Sequence, residues 1–263
     1  MQEAKGTALV TGASAGIGAV YAERLARRGH DVILAARDTA RLTALAERLR
    51  TTHGVGAEIV TADLTRDADV AALEARLAQD PAITLLVNNA GITLKGGLLD
   101  NDAEAITRLI ALNVTAPTRL ATAAARAFSA RKAGAIVNIA SVLAVAPELF
   151  EGAYSGTKAY LLNLSLALAA QLAESGVRVQ AVLPGATRTE IWEKSGASAD
   201  ALPPEWVMEA DVLVDAALLG LDRGEVVTIP PLADEGLWQA YDGARRALAP
   251  HLSRREVAPR YRS

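Results

Sequence analysis

The chain of 263 residues contains no cysteine and only three histidines, His30, His53 and His251, which lie far apart in the sequence. Structural disulfides, thiolate catalysis and cysteine-ligated metal sites are therefore excluded, and the spacing of the histidines argues against a zinc site. We expect no bound metal. The lack of cysteine also fits a reducing cytoplasm, which is the location that we predict.

Strong charge and long apolar runs are also missing. The formal net charge is −3 at pH 7, and the arginines of the tail are few and interrupted, which indicates a solvated terminus rather than a nucleic-acid arm. The polar N-terminus leads into an apolar run too short for a secretory signal, and no stretch approaches the roughly 18 apolar residues of a membrane span. We expect neither a nucleic acid nor a membrane as a partner.

Aromatic residues make up only 4 % of the chain, so Ala, Val and Leu supply most of its 51 % of hydrophobic residues. Such side chains suit strands that are buried on both faces and helices packed closely against them. Short apolar runs alternate with segments of helical periodicity, from a first strand over Thr7–Thr11 to a seventh over Val226–Ile229. This alternation predicts right-handed βαβ crossovers and an α/β fold, with a parallel seven-stranded sheet and helices on both faces.

The domain organisation is predicted to be simple. No Ser/Gly-rich or Pro-rich linker and no internal repeat divides the chain, so we predict a single domain over residues 1–263. Residues 184–206 contain Pro, Gly, Ser and two Trp with little periodicity, and we interpret them as a mobile lid over a substrate pocket. Residues 231–263 form a C-terminal extension whose role stays open.

A glycine-rich turn, Thr11–Gly18 with the sequence TGASAGIG, leads from the first strand into a helix. Glycines let the backbone approach a pyrophosphate, and the helix N-terminus offers free N–H groups and a partial positive charge to the anion. The spacing differs from the general Gly-x-Gly-x-x-Gly fingerprint, and a flexible turn between packed elements is the alternative. The candidate dinucleotide ligands in this turn are Gly12, Ser14, Gly16, Ile17 and Gly18.

The end of the second strand predicts which dinucleotide binds. A carboxylate there would bind the ribose 2′-hydroxyl and repel a 2′-phosphate, whereas Arg37 offers charge-assisted, bidentate contacts to phosphate. We therefore predict NADP(H) as the preferred cofactor, with NAD(H) possible; a solvated surface charge is the alternative for Arg37. Asp38 stands where the generic rule places an acid, but we interpret it as a helix N-cap.

Further motifs follow in order along the chain: Asp63-Leu64, Asn88-Asn89-Ala90-Gly91, Asn113, Ser141, Tyr154-x-x-x-Lys158 and Pro184-Gly185. Together with the glycine-rich turn, they resemble the short-chain dehydrogenase/reductase family, in its compact single-domain branch, over about residues 5–230. Each motif is short, but their joint occurrence at this spacing is specific. The resemblance implies a Rossmann-type, doubly wound sheet and an NAD(P)-dependent ketone or aldehyde reductase or alcohol dehydrogenase.

The resemblance also implies which segments hold the cofactor. One segment would bind the adenine, a second would steady the central strand and touch the cofactor, and a third would hold the nicotinamide carboxamide and the diphosphate. In that order they are Asp63 with Leu64; Asn89, Ala90 and Gly91; and Pro184, Gly185 and Thr187.

Ser141, Tyr154 and Lys158 match the catalytic triad of the family, and Asn113 matches a fourth member that kinks its helix and helps to hold a proton-relay water. Tyr154 and Lys158 share one helix face, and a cation about 4 Å away stabilises a phenolate by roughly 4 kcal/mol at an effective dielectric near 20. A phenol with a reference pKa of about 10 thereby becomes a usable acid/base. Ser141 would donate a hydrogen bond to the substrate oxygen. Tyr154 and Lys158 are also expected to bind the cofactor, with Lys158 reaching the nicotinamide ribose.

Apolar residues near these motifs predict a largely apolar carbonyl or secondary alcohol as the small-molecule substrate. They are Val142, Leu143, Leu149, Phe150, Ile191 and Trp192. A catalytically silent NADPH-binding regulator is one alternative function, but such relatives usually lack the Tyr or the Lys. An isomerase, epimerase or dehydratase on the same fold is another, but those commonly carry a longer substrate domain.

The helix over residues 154–174 is apolar on nearly every side. A helix on the outer face of a sheet needs only one apolar stripe, so the far side of this helix requires a further cover. We predict a homodimer or homotetramer through helix 154–174, with the chain's own C-terminal segment as the alternative cover.

Overall fold

The computed structural model describes residues 5–149, 152–192 and 198–262. Among these residues, seven parallel strands form one sheet. They are β1 (Thr7–Thr11), β2 (Asp31–Ala36), β3 (Ala57–Thr61), β4 (Ile83–Asn88), β5 (Gly134–Ile139), β6 (Val177–Val182) and β9 (Val227–Thr228). Their order in the sheet is β3-β2-β1-β4-β5-β6-β9. Two short strands, β7 (Thr187–Arg188) and β8 (Met208–Glu209), pair separately.

The helices connect these strands. They are α1 (Gly16–Arg27), α2 (Thr39–His53), α3 (Asp67–Gln79), α4 (Ala103–Ile110), α5 (Ala116–Arg131), α6 (Gly152–Gln171) and α7 (Ala210–Asp222), with a π-helical turn over Ala111–Thr115 between α4 and α5. Short 3₁₀ turns span Leu98–Asp100, Val142–Ala144, Pro147–Leu149, Ala199–Ala201 and Pro204–Trp206. Within the described ranges, no helix combines the length and the apolarity that a bilayer span requires.

The sheet is covered on both faces, as the alternation of apolar runs predicts. Ala8 and Val10 of β1 pack in a core with α1, α2 and α7, whereas Leu9 between them packs in a second core with α3 and α5. Successive side chains of a strand point to opposite faces, so each strand contributes to both cores. The predicted Rossmann-type, doubly wound parallel sheet is confirmed.

The seventh strand is shorter than the predicted Val226–Ile229, and two helices differ in their bounds from those that periodicity predicts. Apolar periodicity predicts a helix around Ala103–Asn113, but this helix ends at Ile110, and the chain continues in the π-helical turn before α5. The helix predicted over residues 154–174 begins two residues earlier, at Gly152, and ends at Gln171. Both differences lie at helix termini, where hydrogen bonding within the helix is incomplete and apolar periodicity carries little information.

The chain divides into two compact units, residues 1–230 and residues 231–263. The second unit contains α8 (Glu235–Leu248) and two 3₁₀ turns, Ala249–His251 and Pro259–Tyr261. None of the residues of α8 is buried, and the rings of Trp238 and Tyr241 lie 5.5 Å apart. The single domain over residues 1–263 stays a prediction.

Candidate active site

The glycine-rich turn has no room for side chains at its centre. Gly12 has a φ of +67°, and a Cβ atom there would stand 2.7 Å from Asn89 Nδ2. A Cβ atom at Gly18 would stand 2.3 Å from the Gly12 carbonyl oxygen. Ala15 at the N-cap of α1 has no side chain that could cap the helix, so the first amide groups are left for an external anion. This cradle fits a dinucleotide diphosphate, with Ser14, Gly16 and Ile17 on the same turn.

A second turn is fixed directly against the first. The Thr11 hydroxyl oxygen accepts hydrogen bonds from the backbone N–H groups of Asn89 and Ala90, both at 3.0 Å. In return, Asn89 Nδ2 donates to the carbonyl oxygens of Thr11 and Gly12, at 2.9 and 3.3 Å. Thr11 belongs to the predicted turn but was not among the candidate site residues, although a polar residue that ends an apolar strand and precedes Gly12 is a usable signal. The contact of Asn89, Ala90 and Gly91 with a cofactor stays a prediction.

Asp63 and Arg37, the two predicted ligands of the adenosine end, influence each other electrostatically. Burial raises the pKa of the Asp63 carboxyl, but hydrogen bonds from the backbone and hydroxyl of Thr65, together with the charges of Arg37 and Arg66, hold that pKa below its ordinary value. Asp63 is therefore an ionised hydrogen-bond acceptor at neutral pH. Leu64 is largely buried in the core beside α3 and α5.

The interpretation of Asp38 as an N-cap is confirmed. Its Oδ1 accepts a hydrogen bond of 3.0 Å from the backbone N–H of Arg41 in the first turn of α2. An N-cap side chain satisfies a helix donor that otherwise has no partner. Because this carboxylate is engaged by the helix, the exposed group next to it at the end of β2 is the Arg37 guanidinium.

Lys158 is a buried cation beside Tyr154 on α6. Its side chain is almost entirely buried, Nζ donates a hydrogen bond of 2.8 Å to the carbonyl oxygen of Ile139, and Nζ lies 5.5 Å from the centre of the Tyr154 ring. Burial lowers the pKa of Lys158 to about 8, because the ammonium loses hydration. No carboxylate forms an ion pair with it among the described residues. Such a site favours a phenolate or another electron-rich group beside the lysine.

Asn113 lies in the π-helical turn, at the place where the resemblance implies a kinked helix. Its Oδ1 accepts from the backbone N–H of Ile92 at 2.9 Å, and its Nδ2 donates to the Ile92 carbonyl at 2.8 Å and to the Thr157 hydroxyl at 3.2 Å. Asn113 therefore ties the loop after β4 to α6, one residue before Lys158. Its part in a proton relay stays a prediction.

A chain of buried polar side chains holds α6 against the sheet. Asn88 Nδ2 donates to Asn138 Oδ1 at 2.9 Å, and Asn138 Nδ2 donates to the Ser165 hydroxyl at 2.9 Å. The Ser165 hydroxyl in turn donates to the Leu161 carbonyl within α6. Asn138 and Ser165 were not among the residues predicted from the sequence, because their contacts join positions 27 apart. Buried networks of this kind specify one position of a helix on a sheet, because a shifted helix would leave the polar groups unpaired.

Ser141 follows β5 and lies against the segment that follows β6. Its Oγ accepts a hydrogen bond of 3.2 Å from the Leu143 N–H and donates to the Pro184 carbonyl over 3.5 Å. The second contact is at the limit of a hydrogen bond, so the hydroxyl hydrogen can exchange this acceptor for a better one. Farther along the segment, the Thr187 hydroxyl donates to the Gly185 carbonyl at 3.0 Å.

Thr11, Arg37, Asp63, Asn89, Ser141 and Pro184 lie at or just after the carboxyl ends of β1 to β6, and Lys158 contacts Ile139, the last residue of β5. The strand order reverses between β1 and β4, with β2 and β3 on one side and β5 and β6 on the other. Ligands of open α/β sheets bind at the carboxyl ends of the strands, at such a switch point. The fold therefore brings the predicted cofactor and catalytic residues to one edge of the sheet.

The predicted pocket residues are less uniform. Val142 and Leu143 in a 3₁₀ turn, and Ile191 and Trp192 after β7, are partly buried, whereas the Leu149 side chain is 70 % exposed. Trp192 Nε1 donates to the Thr187 carbonyl at 2.7 Å, which places the indole beside the segment after β6. Phe150 lies outside the described residues. The apolar pocket stays a prediction.

Comparison with known proteins identifies a family and several close relatives. The family model for short chain dehydrogenases matches residues 6–200 of this chain. A solved short-chain dehydrogenase from Sphingobium yanoikuyae, in complex with NADPH, is 55 % identical with a TM-score of 0.95, over 98 % of this chain and 100 % of that chain.

Two further relatives act on ketones or alcohols. A bulky-bulky ketone specific alcohol dehydrogenase from Comamonas testosteroni is 46 % identical with a TM-score of 0.91, over 99 % of this chain and 100 % of that chain. The cis-4-hydroxycyclohexanecarboxylate dehydrogenase of Sinomonas cyclohexanicum is 37 % identical, over 72 % of this chain and 76 % of that protein.

Proposed function

Since this chain belongs to the short-chain dehydrogenase/reductase family, we propose that it transfers a hydride between NADP(H) and a bulky, largely apolar ketone or the corresponding secondary alcohol. Tyr154 is the acid/base of this reaction. The observation that carries the proposal is the buried Lys158 ammonium beside the Tyr154 ring, at the carboxyl edge of the sheet. A lysine with only a structural role would be expected to keep its ammonium group exposed to water, because burial of an unpaired charge costs free energy.

The cofactor choice is supported by two observations. The Sphingobium relative binds NADPH, and in this chain Arg37 is exposed at the end of β2 while Asp38 caps α2. The diphosphate would lie on the turn Gly12–Gly18, and Asp63 would hold the adenine amino group. When bound, the reduced nicotinamide supplies the hydride to the carbonyl carbon.

Residues of this chain transfer the proton to and from the substrate oxygen. In the direction of reduction, the Tyr154 hydroxyl gives its proton to the substrate oxygen, and the Lys158 ammonium stabilises the tyrosinate that forms. The Ser141 hydroxyl exchanges its weak contact with Pro184 for the substrate oxygen, where negative charge develops. In the direction of oxidation, the same tyrosinate removes the alcohol proton.

The substrate class is proposed from the relatives and from the apolar residues near the site. The Comamonas relative is specific for bulky-bulky ketones. The test follows the absorbance of the reduced nicotinamide when NADPH is mixed with ketones that carry two bulky apolar groups, and with their methyl ketone counterparts. Oxidation of NADPH by the bulky ketones supports the proposal. Tight binding of NADPH without turnover of any ketone would instead favour a regulator.

Replacement of Arg37 by Ala is expected to weaken NADPH binding by about 10- to 100-fold, because hydrogen bonds between a guanidinium and a phosphate contribute roughly 1.5–3 kcal/mol. The affinity for NADH should change less than about twofold, since NADH has no 2′-phosphate. Fluorescence titration with both cofactors measures this difference. Arg48→Ala serves as the control, because Arg48 lies on α2 but pairs with Glu23. Equal losses for NADPH and NADH would contradict the role of Arg37.

The homodimer or homotetramer through helix 154–174 is also a proposal. Leu161, Leu162 and Leu172 of this segment are buried, and the exposed stripe of α6 instead contains Gly156, Tyr160, Asn163, Ala167 and Ala170. Small side chains on this stripe let a second helix approach closely. Sedimentation equilibrium should give two or four times the mass of the chain, and the mass of a single chain would exclude the assembly. The cytoplasmic location likewise rests on the sequence alone.

A further inference from the structure

An ion pair links the start of α2 to the segment after β7. Arg41 Nη1 donates to Glu190 Oε1 at 2.6 Å, and Arg41 Nε lies 3.4 Å from Asp38 Oδ2. Arg41 and Glu190 are 149 positions apart in sequence, so the fold alone brings them together. Arg41 is the third residue of α2 and follows Arg37 by four positions, so both arginines belong to the segment that continues from the carboxyl end of β2.

The segment that carries Glu190 lies directly on the glycine-rich turn. A Cβ atom at Gly16 would stand 3.2 Å from the Thr189 methyl carbon, the closest atom outside the turn. The Trp192 indole holds the same segment by its hydrogen bond to the Thr187 carbonyl. The Arg41–Glu190 pair therefore joins the two structural elements that border the predicted site of the adenosine and diphosphate.

The two charges of this pair have opposite effects on a phosphate: the Arg41 guanidinium attracts it and the Glu190 carboxylate repels it. The side chains of Arg41 and Glu190 are 51 % and 37 % exposed, so solvent screens their attraction and the pair is weak. A phosphate dianion offers the same guanidinium shorter, charge-assisted and bidentate hydrogen bonds. The Glu190 carboxylate cannot bind a phosphate and repels it, because both groups are negatively charged.

We propose that Arg41 is a second ligand of the cofactor 2′-phosphate, and that Glu190 competes with the phosphate for it. This inference rests on the proposed use of NADP(H). Glu190 then lowers the affinity for NADPH while leaving the affinity for NADH unchanged. The attraction of the 2′-phosphate by Arg37 and Arg41, reduced by the competition of Glu190 for Arg41, then determines how much more tightly NADPH binds than NADH.

The experiment is a double-mutant cycle on the full chain, with dissociation constants for NADPH and NADH measured by fluorescence titration. Arg41→Ala should weaken NADPH binding by about tenfold and change NADH binding less than about twofold. Glu190→Gln should strengthen NADPH binding by about two- to fivefold, the amount that a half-exposed ion pair contributes. In the Arg41→Ala background, the same Glu190→Gln change should have little effect, because the Arg41 guanidinium with which Glu190 pairs is absent.

Several results would overturn the inference. If Glu190→Gln strengthens NADPH binding equally with and without Arg41, Glu190 acts by direct repulsion and the competition is refuted. If Arg41→Ala leaves the preference for NADPH intact, Arg41 is not a ligand, although the proposed function stands. If the unmodified protein binds NADPH no tighter than NADH, the cofactor assignment and this inference fail together. Arg48→Ala, which removes an arginine two turns along α2, controls for helix stability and net charge.

Discussion

Replacement of Tyr154 by Phe should lower kcat for ketone reduction by about 10²- to 10⁴-fold, the contribution typical of a positioned general acid. The substitution removes one hydroxyl and keeps the ring that lies 5.5 Å from Lys158 Nζ. We expect the dissociation constant of NADPH to change less than about twofold, since the glycine-rich turn, Arg37 and Asp63 supply most of the predicted contacts to the cofactor and the Tyr154 hydroxyl is only one more. Stopped-flow absorbance at a saturating NADPH concentration measures the loss in the chemical step.

Tyr160→Phe is the matched control, because it removes a phenol hydroxyl from the same helix. The Tyr160 ring is partly exposed, and its hydroxyl pairs with the Thr118 hydroxyl at 3.0 Å, away from Lys158. This variant should retain nearly full activity. A Tyr154→Phe variant with more than a tenth of the original kcat would show that another group supplies the proton.

Replacement of Lys158 by Met should lower kcat by about 10²-fold. Lys158 Nζ lies 5.5 Å from the centre of the Tyr154 ring, and two unit charges at that separation interact by about 3 kcal/mol at an effective dielectric of 20. We take this as the stabilisation that a tyrosinate, whose charge spreads into the ring, loses when the ammonium is removed. Methionine keeps the length and the apolar contacts of the buried chain, so the fold should persist. If the variant shows an unchanged kcat and only a raised KM, Lys158 would act in binding alone.

The same variant tests the pKa of the lysine through protein stability. Burial lowers the pKa of Lys158 from its ordinary 10.5 to about 8 in the folded state. Between pH 8 and pH 10.5 the unfolded chain therefore binds more protons than the folded protein, and the free energy of unfolding rises with pH. Below pH 8 both states are protonated, and the burial of the charge destabilises the folded protein in full.

The lowering of the Lys158 pKa corresponds to about 3 kcal/mol in the free energy of unfolding, since a shift of one pKa unit equals about 1.4 kcal/mol. The free energy of unfolding of the unmodified protein, minus that of Lys158→Met, should therefore increase by about this amount from pH 7 to pH 10.5. Urea titrations at several pH values measure both proteins, and the subtraction removes the other groups that titrate in this range. A difference that stays flat with pH would mean that Lys158 is hydrated in solution.

Local patterns in the sequence were sufficient for the seven strands of the main sheet and for some details of the site, but not for the short strands β7 and β8. The first two strands, Thr7–Thr11 and Asp31–Ala36, have the bounds that their apolar runs predict, because these runs are followed by a glycine or a charged residue. Asp38 was correctly interpreted as an N-cap, since a cap is a contact between residues three positions apart. The kinked helix at Asn113 followed only from the family resemblance; periodicity predicted one helix that ended at Asn113 and a second that began at Pro117.

The sequence by itself therefore determined the order of strands and helices, the chemistry-bearing motifs and the family. The tertiary structure decided which distant groups meet: Lys158 with the Ile139 carbonyl, Thr11 with Asn89, and Arg41 with Glu190. Helical and strand periods arise from hydrogen bonds and side-chain directions within a few residues, so a short window records them. Contacts across 78 or 149 positions depend on strand register and helix packing, and only the assembled sheet fixes these.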